Sequence, residues 1–177
     1  RATREAVALP CTYYMSALGC LDDAGARVDW WMLYKYPEIA SPERDGLRGA
    51  AYTLFTPGGL VERFDHSNSS VDRNDSALAR TLAPLYDGTA GAAILYSYQP
   101  PDTTWYSATD GHSKGVLAAS AAGGSGGFFL QHSIPRFPAY PSSGYSYGHS
   151  QLKYGQHALC LTLDAPSLDT VAFALSY

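Results

Sequence analysis

The stretch Gly111-His112-Ser113-Lys114-Gly115-Val116-Leu117 places an imidazole and an ammonium group two residues apart at the start of an apolar run. A second apolar run, residues 127–132, follows the glycine-rich segment 121–126. Two apolar runs joined by glycines are typical of an antiparallel β-hairpin. Because successive side chains of a strand alternate between its faces, His112 and Lys114 are predicted to share one face of this hairpin.

An imidazole beside a fixed positive charge suits a phosphate group. The imidazole can attack phosphorus or transfer a proton, while the lysine holds the non-bridging oxygens. A His-x-Lys triplet also occurs by chance, and in that interpretation His112 and Lys114 are solvated residues at a strand end. The flanking sequence has to decide between the two interpretations.

The register of the hairpin determines which later residue joins this pair. If Ser120 pairs near Phe128, then His132 falls opposite Val116, and the even-numbered residues share a face with Lys114. His132 is then predicted to lie beside the pair. A slip of one residue would reverse this prediction, because the side-chain period of a strand is two.

Further strands are predicted where the sequence is apolar. Together with the hairpin strands 112–119 and 127–132, they are residues 28–36, 50–55, 92–98, 158–163 and 170–177. The first of these is apolar almost throughout, which predicts burial on both faces of a sheet.

One helix is predicted over residues 76–86. Leu78, Leu82 and Leu85 form one stripe at helical spacing, and Pro84 is expected to end the helix. The combination of strands with a helix predicts an α/β fold with a mixed β-sheet.

The length of 177 residues with 46% apolar content allows one sizeable core and not two large domains. No apolar run approaches the roughly 20 residues of a membrane span, so no membrane partner is expected. The three cysteines, Cys11, Cys20 and Cys160, have no metal-ligand spacing, and we expect neither a metal nor another cofactor.

The charge of the chain depends on its histidines. The formal net charge is −4 with neutral histidines, which is unfavourable for meeting a polyanion. Protonation of all five histidines brings the net charge to +1. DNA binding is therefore expected to become easier in acid, although local patches matter more than the total.

Several blocks beyond the hairpin agree with one known family. They are Val28–Lys35, Gln99-Pro100-Pro101, residues 126–138 and residues 145–150. In this order and spacing the chain resembles the amino-terminal half of the deoxyribonuclease II family, from about Cys20 to its end. The resemblance implies an amino-terminal segment at residues 1–19. Residues 20–177 would form the first phospholipase D-like half of a two-lobed, pseudo-symmetric enzyme, with a mixed sheet flanked by helices.

The resemblance also implies an activity. Family members are endonucleases that need no metal, work in acid and leave 3′-phosphate and 5′-hydroxyl ends on DNA. Two His-x-Lys motifs supply a histidine nucleophile, a histidine acid and base, and two phosphate-binding lysines. His112 takes one of the two histidine roles, Lys114 binds phosphate, and the second motif comes from a continuation, a cleaved companion chain or a homodimer.

Two further residues are candidates for supporting roles, one from the resemblance and one from its place at the end of a predicted strand. His132 belongs to a His-Ser-x-Pro block and either assists the site or is a hydrogen-bonded structural histidine. Lys35 either reaches the phosphate or is a lysine with a buried stem. The aspartate that the wider superfamily carries further along the motif is replaced here by Ala119 and Ser120. A backbone carbonyl, a hydroxyl group or the other half is expected to orient the imidazole instead.

The family pattern pairs Cys20 with Cys160 in a disulfide. Such a bond forms in oxidising compartments, so a secreted, periplasmic or lysosomal location is expected. Two other functions stay open at this stage. One is a phosphodiesterase of the phospholipase D type that acts on lipids or small phosphodiesters, and the other is a secreted DNA-binding module without catalytic activity.

Overall fold

The computed structural model describes residues 18–39, 49–57, 66–101, 109, 111–121 and 126–176. These residues form two short strands, a seven-stranded sheet and two α-helices. In chain order the elements are β1 (Cys20–Leu21), β2 (Arg27–Val28), β3 (Trp30–Lys35), β4 (Ala51–Phe55), β5 (His66–Ser70), α1 (Ala77–Tyr86), β6 (Ala90–Ser97), β7 (Lys114–Ser120), β8 (Gly127–His132), β9 (Gln156–Leu163) and α2 (Ala165–Ala174). Cys11 and most of the predicted amino-terminal segment lie outside the described residues.

The large sheet has the strand order β5-β4-β3-β9-β8-β7-β6. All six pairings in it are antiparallel, so the prediction of a mixed sheet is wrong for the described residues. Parallel neighbours require a long crossover, usually through a helix. The helix α1 does connect β5 to β6 along the chain. These two strands lie at opposite edges of the sheet, however, and are not neighbours. The α/β character itself is confirmed.

The helix α1 covers one face of the sheet. Ser76 caps its amino terminus by accepting a hydrogen bond from the backbone of Ala79. The indole of Trp31 in β3 donates to Thr81 Oγ1 over 3.2 Å and anchors the helix to the sheet. Pro84 does not end the helix, contrary to expectation, because a proline in the last turn removes only one helical hydrogen bond and the helix continues to Tyr86.

The strand β3 alternates between buried and exposed residues, so the prediction of burial on both faces is wrong. Trp31, Leu33 and Lys35 are fully buried against the α1 face. Trp30 and Met32 point the other way and are 39% and 44% exposed. This is the pattern of an antiparallel sheet with one covered face.

The last predicted strand covered residues 170–177, but residues 170–174 belong to the helix α2, and Tyr177 lies outside the described residues. Asp164 caps the helix through a hydrogen bond from the backbone of Ser167, and Pro166 lies in its first turn. An acidic cap followed by proline is a helix start signal that outweighs the β-prone residues Val171 and Phe173. The helix packs against β7 and β8, and Leu168 is its buried residue. Neither helix in the described part of the chain has the length and apolarity of a membrane span.

Cys20 and Cys160 form a disulfide, as the family pattern implied. The bond ties β1 to β9, the central strand of the large sheet. Thr162 reinforces this junction, since its hydroxyl accepts from the Cys20 amide over 2.9 Å and donates to the Val28 carbonyl over 2.6 Å. The two bonded cysteines are 140 residues apart in the sequence.

Lys35 is a structural anchor of the fold. Its ammonium group donates to the carbonyls of Gly49 (2.7 Å), Gln151 (3.0 Å) and Leu152 (2.9 Å), which belong to two distant loops. The side chain is fully buried, and burial lowers its pKa to about 8. The three donors of Lys35 are thus used inside the protein.

We expect removal of the disulfide to destabilise the chain. The paired change Cys20→Ala and Cys160→Ala should lower the free energy of unfolding by about 2–5 kcal/mol, because the long loop no longer restricts the unfolded state. Urea denaturation with and without a thiol reductant measures this effect. Reductant should lower the midpoint of the wild type and leave the variant unchanged, and equal wild-type midpoints under both conditions would contradict the prediction.

Replacing Lys35 should also destabilise the fold. Lys35→Met keeps the apolar stem and leaves three carbonyls without their donor, which should cost at least about 2 kcal/mol. Lys153→Met serves as the control, because Lys153 is exposed and lies over the ring of Tyr154. Urea denaturation of both variants checks the difference, and equal stabilities would rule out the anchoring role.

Candidate active site

The strands β7 and β8 bring the predicted site residues together. Ala118, rather than Ser120, lies opposite Phe128, so the register differs from the predicted one by two residues. An even shift leaves the faces unchanged. The ladder places Lys114, rather than Val116, opposite His132 at the end of the hairpin, so these two side chains lie next to one another on one face.

His112 and Lys114 meet on the ring of Tyr98. The ammonium of Lys114 lies 4.1 Å from the centroid of the phenol ring, and the imidazole of His112 lies against the same ring at a tilt of 36°, with centroids 4.0 Å apart. The Tyr98 hydroxyl is 2.8 Å from His112 Nε2. His112 precedes β7 and is exposed, whereas Lys114 opens the strand and is 2% exposed.

Tyr98 was not singled out from the sequence. It immediately follows β6, and the register that pairs Ser97 with Lys114 carries its ring to the His-x-Lys motif. Its position directly before the Gln99-Pro100-Pro101 block was the available signal. A hydroxyl group therefore contacts the imidazole, which is one of the three substitutes expected for the missing carboxylate.

The positive charge of Lys114 has no carboxylate partner among the described residues, where the one ion pair joins Arg73 and Asp75. Burial lowers the pKa of Lys114. The aromatic ring beneath it supplies a favourable cation–π contact without neutralising the charge. Within the described residues, no carboxylate therefore neutralises this ammonium.

His132 is buried, with 4% of its surface exposed, and packs edge-on against Phe137 with ring centroids 5.4 Å apart. Its Nδ1 accepts a hydrogen bond from the backbone of Ile134 over 3.2 Å. This bond assigns the proton of the neutral ring to Nε2. Burial, with the neighbouring charge of Lys114 as the second cause, lowers the pKa of His132 to about 3.

The Nε2 atom of His132 has no hydrogen-bond partner among the described residues. A buried N–H group without an acceptor costs free energy. The end of the hairpin thus holds two donors, Lys114 Nζ and His132 Nε2, that lack a protein acceptor in the described part of the chain. This arrangement is complementary to the oxygens of an anionic group.

Gly115 lies between Lys114 and Val116 where no side chain fits. A Cβ atom there would come within 2.5 Å of the Tyr96 hydroxyl and 2.6 Å of the Leu130 carbonyl oxygen. The glycine lets β6, β7 and β8 approach closely enough to hold Tyr98, Lys114 and His132 together.

The other predicted residues lie elsewhere. Lys35 is engaged with three backbone carbonyls and does not join the group around Tyr98. Ser120, at the far end of β7, accepts a hydrogen bond from the Leu18 amide over 2.9 Å. In the described ranges, no three histidine, cysteine, aspartate or glutamate side chains are arranged to bind a metal ion.

Comparison with known proteins gives a family. The family model for deoxyribonuclease II matches residues 19–177. The chain is 35% identical over 166 residues to deoxyribonuclease-2-alpha of Rattus norvegicus, covering 91% of this chain and 46% of that protein. It is 36% identical over 169 residues to deoxyribonuclease-2-alpha of Sus scrofa, covering 92% and 44%.

A third relative is plancitoxin-1 of Acanthaster planci, 30% identical over 166 residues, with 91% of this chain and 45% of that protein covered. The chain thus spans about half the length of the relatives that it matches. The matched region contains the whole His112, Lys114, Tyr98 and His132 group. This chain belongs to the deoxyribonuclease II family.

Proposed function

We propose that this chain supplies one half of the active site of an acid endonuclease that hydrolyses DNA phosphodiester bonds without a metal ion and leaves 3′-phosphate and 5′-hydroxyl ends. The observation that carries the proposal is the group of His112, Lys114 and His132 around one hairpin end. Two of its donors have no acceptor in the described residues. Membership of the deoxyribonuclease II family supports DNA as the substrate.

The phosphate would bind first through Lys114 and His132. The Lys114 ammonium neutralises charge on a non-bridging oxygen, and the His132 Nε2–H group donates a hydrogen bond to another. His132 stays neutral in mild acid, because its pKa is about 3. In this role it stabilises charge that develops on the phosphorus oxygens in the transition state and transfers no proton.

His112 would carry out the proton transfer or the nucleophilic attack. In one step, one histidine attacks phosphorus and forms a phosphohistidine while the bond to the 5′-oxygen breaks. The second histidine, protonated, donates its proton to that leaving oxygen. It then removes a proton from water, which attacks the phosphohistidine and releases the 3′-phosphate. The Tyr98 hydroxyl can accept a hydrogen bond from Nε2–H of a neutral or a protonated His112. This leaves Nδ1 free to attack phosphorus in the neutral ring, or to donate its proton in the protonated ring, so the contact fits both roles.

The second histidine would come from another His-x-Lys motif in a phospholipase D-like second half. This chain contains one such motif, and it spans about half the length of its relatives. A continuation, a cleaved companion chain or a second copy would each bring the counterpart to the exposed side of His112. The disulfide between Cys20 and Cys160 supports an oxidising location, such as the extracellular space, the periplasm or the lysosome.

The test of this function is cleavage of plasmid DNA by the full-length protein at pH 5 and pH 7 with a chelator present. His112→Ala and Lys114→Ala should each lower the rate at least about 100-fold, because they remove the reacting imidazole and the phosphate-binding charge. His149→Ala is the matched control, since His149 is exposed in a different loop. End-labelling should find 3′-phosphates.

Complete loss of cleavage with the chelator, or full activity of His112→Ala, would contradict the proposed mechanism. Cleavage of phosphatidylcholine in place of DNA would indicate a lipid phosphodiesterase. Retention of DNA without new ends would indicate a binding module.

The buried His132 predicts a dependence of stability on pH. Its pKa is about 3 in the folded chain, and about 6.5 is expected when the chain is unfolded. The unfolded state therefore binds the proton first as the pH falls below about 6.5, and the folded state loses stability until the pH reaches about 3. This residue alone should reduce the free energy of unfolding by about 2 kcal/mol between pH 7 and pH 5.

His132→Asn should remove that loss while keeping an acceptor for the Ile134 amide. Urea denaturation at both pH values measures the difference between wild type and variant, with the exposed His157 replaced by asparagine as a control. A wild type whose stability changes with pH just as that of His132→Asn does would show that the pKa of His132 is not lowered in the folded chain.

A further inference from the structure

An apolar cavity of about 270 Å³ lies beside the proposed phosphate site. Its walls come from the end of β6 and from two proline-containing loops that the proposed chemistry does not use. Its lining includes Leu95, Pro100, Pro101, Phe137, Pro138 and Tyr140.

The cavity lies next to the phosphate-binding residues on two sides. Ser97, which also lines it, pairs with Lys114 across β6 and β7. Phe137 forms a second wall and packs against the ring of His132, with centroids 5.4 Å apart. A group held in this cavity would therefore lie next to the residues that would bind the phosphate.

The two loops are held in place by the backbone. The Arg136 amide donates to the Gln99 carbonyl over 3.1 Å and joins the loops at the rim. Three prolines restrict the chain further, because each fixes one backbone dihedral. The described walls of the cavity are thus fixed to one another by the backbone.

The chemistry of the walls fits a flat, uncharged ring. Among the lining residues that the structure describes, the only polar side chains carry hydroxyl groups, and the phenol of Tyr140 is 44% exposed, which leaves a face open for stacking. The volume falls just below the range of about 300–1,000 Å³ that holds drug-sized ligands. It suits one ring system and not a long acyl chain.

Resting on the proposed function, we propose that this cavity is a nucleobase subsite that holds one unstacked base of the nucleotide next to the phosphate bound by Lys114. Tyr140 supplies the stacking face, and the prolines and Phe137 close the sides. The subsite reads no base identity, because stacking is available to every base. It positions the strand by fixing the sugar attached to the bound phosphate.

The test uses dinucleotides as inhibitors of plasmid cleavage by the full-length protein, so that they need not be cleaved themselves. The inhibition constant of d(TpT) is compared with those of the two dinucleotides that each carry an abasic sugar in place of one thymidine. Removing the base that occupies the subsite should weaken inhibition about 5- to 150-fold, the range expected for one aromatic stack. Removing the other base should have little effect.

Tyr140→Ala should weaken d(TpT) by the same factor and leave the sensitive abasic dinucleotide unchanged, whereas Tyr140→Phe should behave as wild type. Tyr154→Ala is the matched control, since Tyr154 is 47% exposed and lies outside the cavity. A loss of equal size for all three dinucleotides in Tyr140→Ala would overturn the subsite and indicate a structural role. Equal inhibition constants of the wild type for all three dinucleotides would overturn the subsite as well, and so would the absence of inhibition by any of them.

Two further outcomes are distinguishable. In the first, a short-chain phosphatidylcholine inhibits the wild type but not Tyr140→Ala, and removal of either base leaves the inhibition constant of the dinucleotide unchanged. The cavity would then hold an acyl chain, and the proposal of a nucleobase subsite would be wrong. If the wild type does not cleave plasmid DNA at all, the proposed function fails, whereas intact cleavage without base dependence removes only the subsite.

Discussion

The register between β7 and β8 is the constraint on which the candidate site depends. It places Lys114 and His132 at the same end and on the same face of an antiparallel pair. The neighbouring strand β6 then delivers Tyr98, and the loop after β8 delivers Phe137. Each contact of the site is therefore a consequence of backbone hydrogen bonds made elsewhere in the sheet.

This arrangement is costly for folding. A nearly buried ammonium and a buried imidazole with an unpaired nitrogen both lose solvation. The remainder of the fold offsets this loss through a continuous apolar core between the sheet and α1, and through the disulfide that fastens β1 to the central strand. Buried ionisable groups of this kind are often concentrated at functional sites, where a ligand supplies the missing partner.

The hairpin and the face shared by Lys114 and His132 could be predicted from sequence, because apolar runs, glycines and a period of two determine them. His112 was predicted within the first strand but precedes β7, so the period of two does not govern its direction. The predicted strand 127–132 and the observed β8 have the same bounds. The register was displaced by two residues, since the turn residues do not specify how many of them leave the ladder. β5 was missed because its sequence, His-Ser-Asn-Ser-Ser, is polar and becomes a strand only by pairing with β4.

Tertiary contacts account for what the sequence could not reveal about the site. Tyr98 meets His112 across a sheet interface, and no local pattern encodes that contact. Lys35 looked like a candidate phosphate ligand, but its three carbonyl partners come from loops 14 to 117 residues away in sequence. A lysine at the end of a strand gives no indication of which distant carbonyls it will bind.

The geometry of the site depends on Gly115 because this position has no room for a side chain. Even a methyl group at this position would collide with the Tyr96 hydroxyl and the Leu130 carbonyl and push neighbouring strands apart. The two basic groups at the hairpin end would then separate although neither had been altered. A genetic screen for inactive alleles should therefore recover substitutions of Gly115 as well as of Lys114 and His132. A Gly115 substitution would inactivate the protein by misplacing the basic side chains, although it would remove none of them.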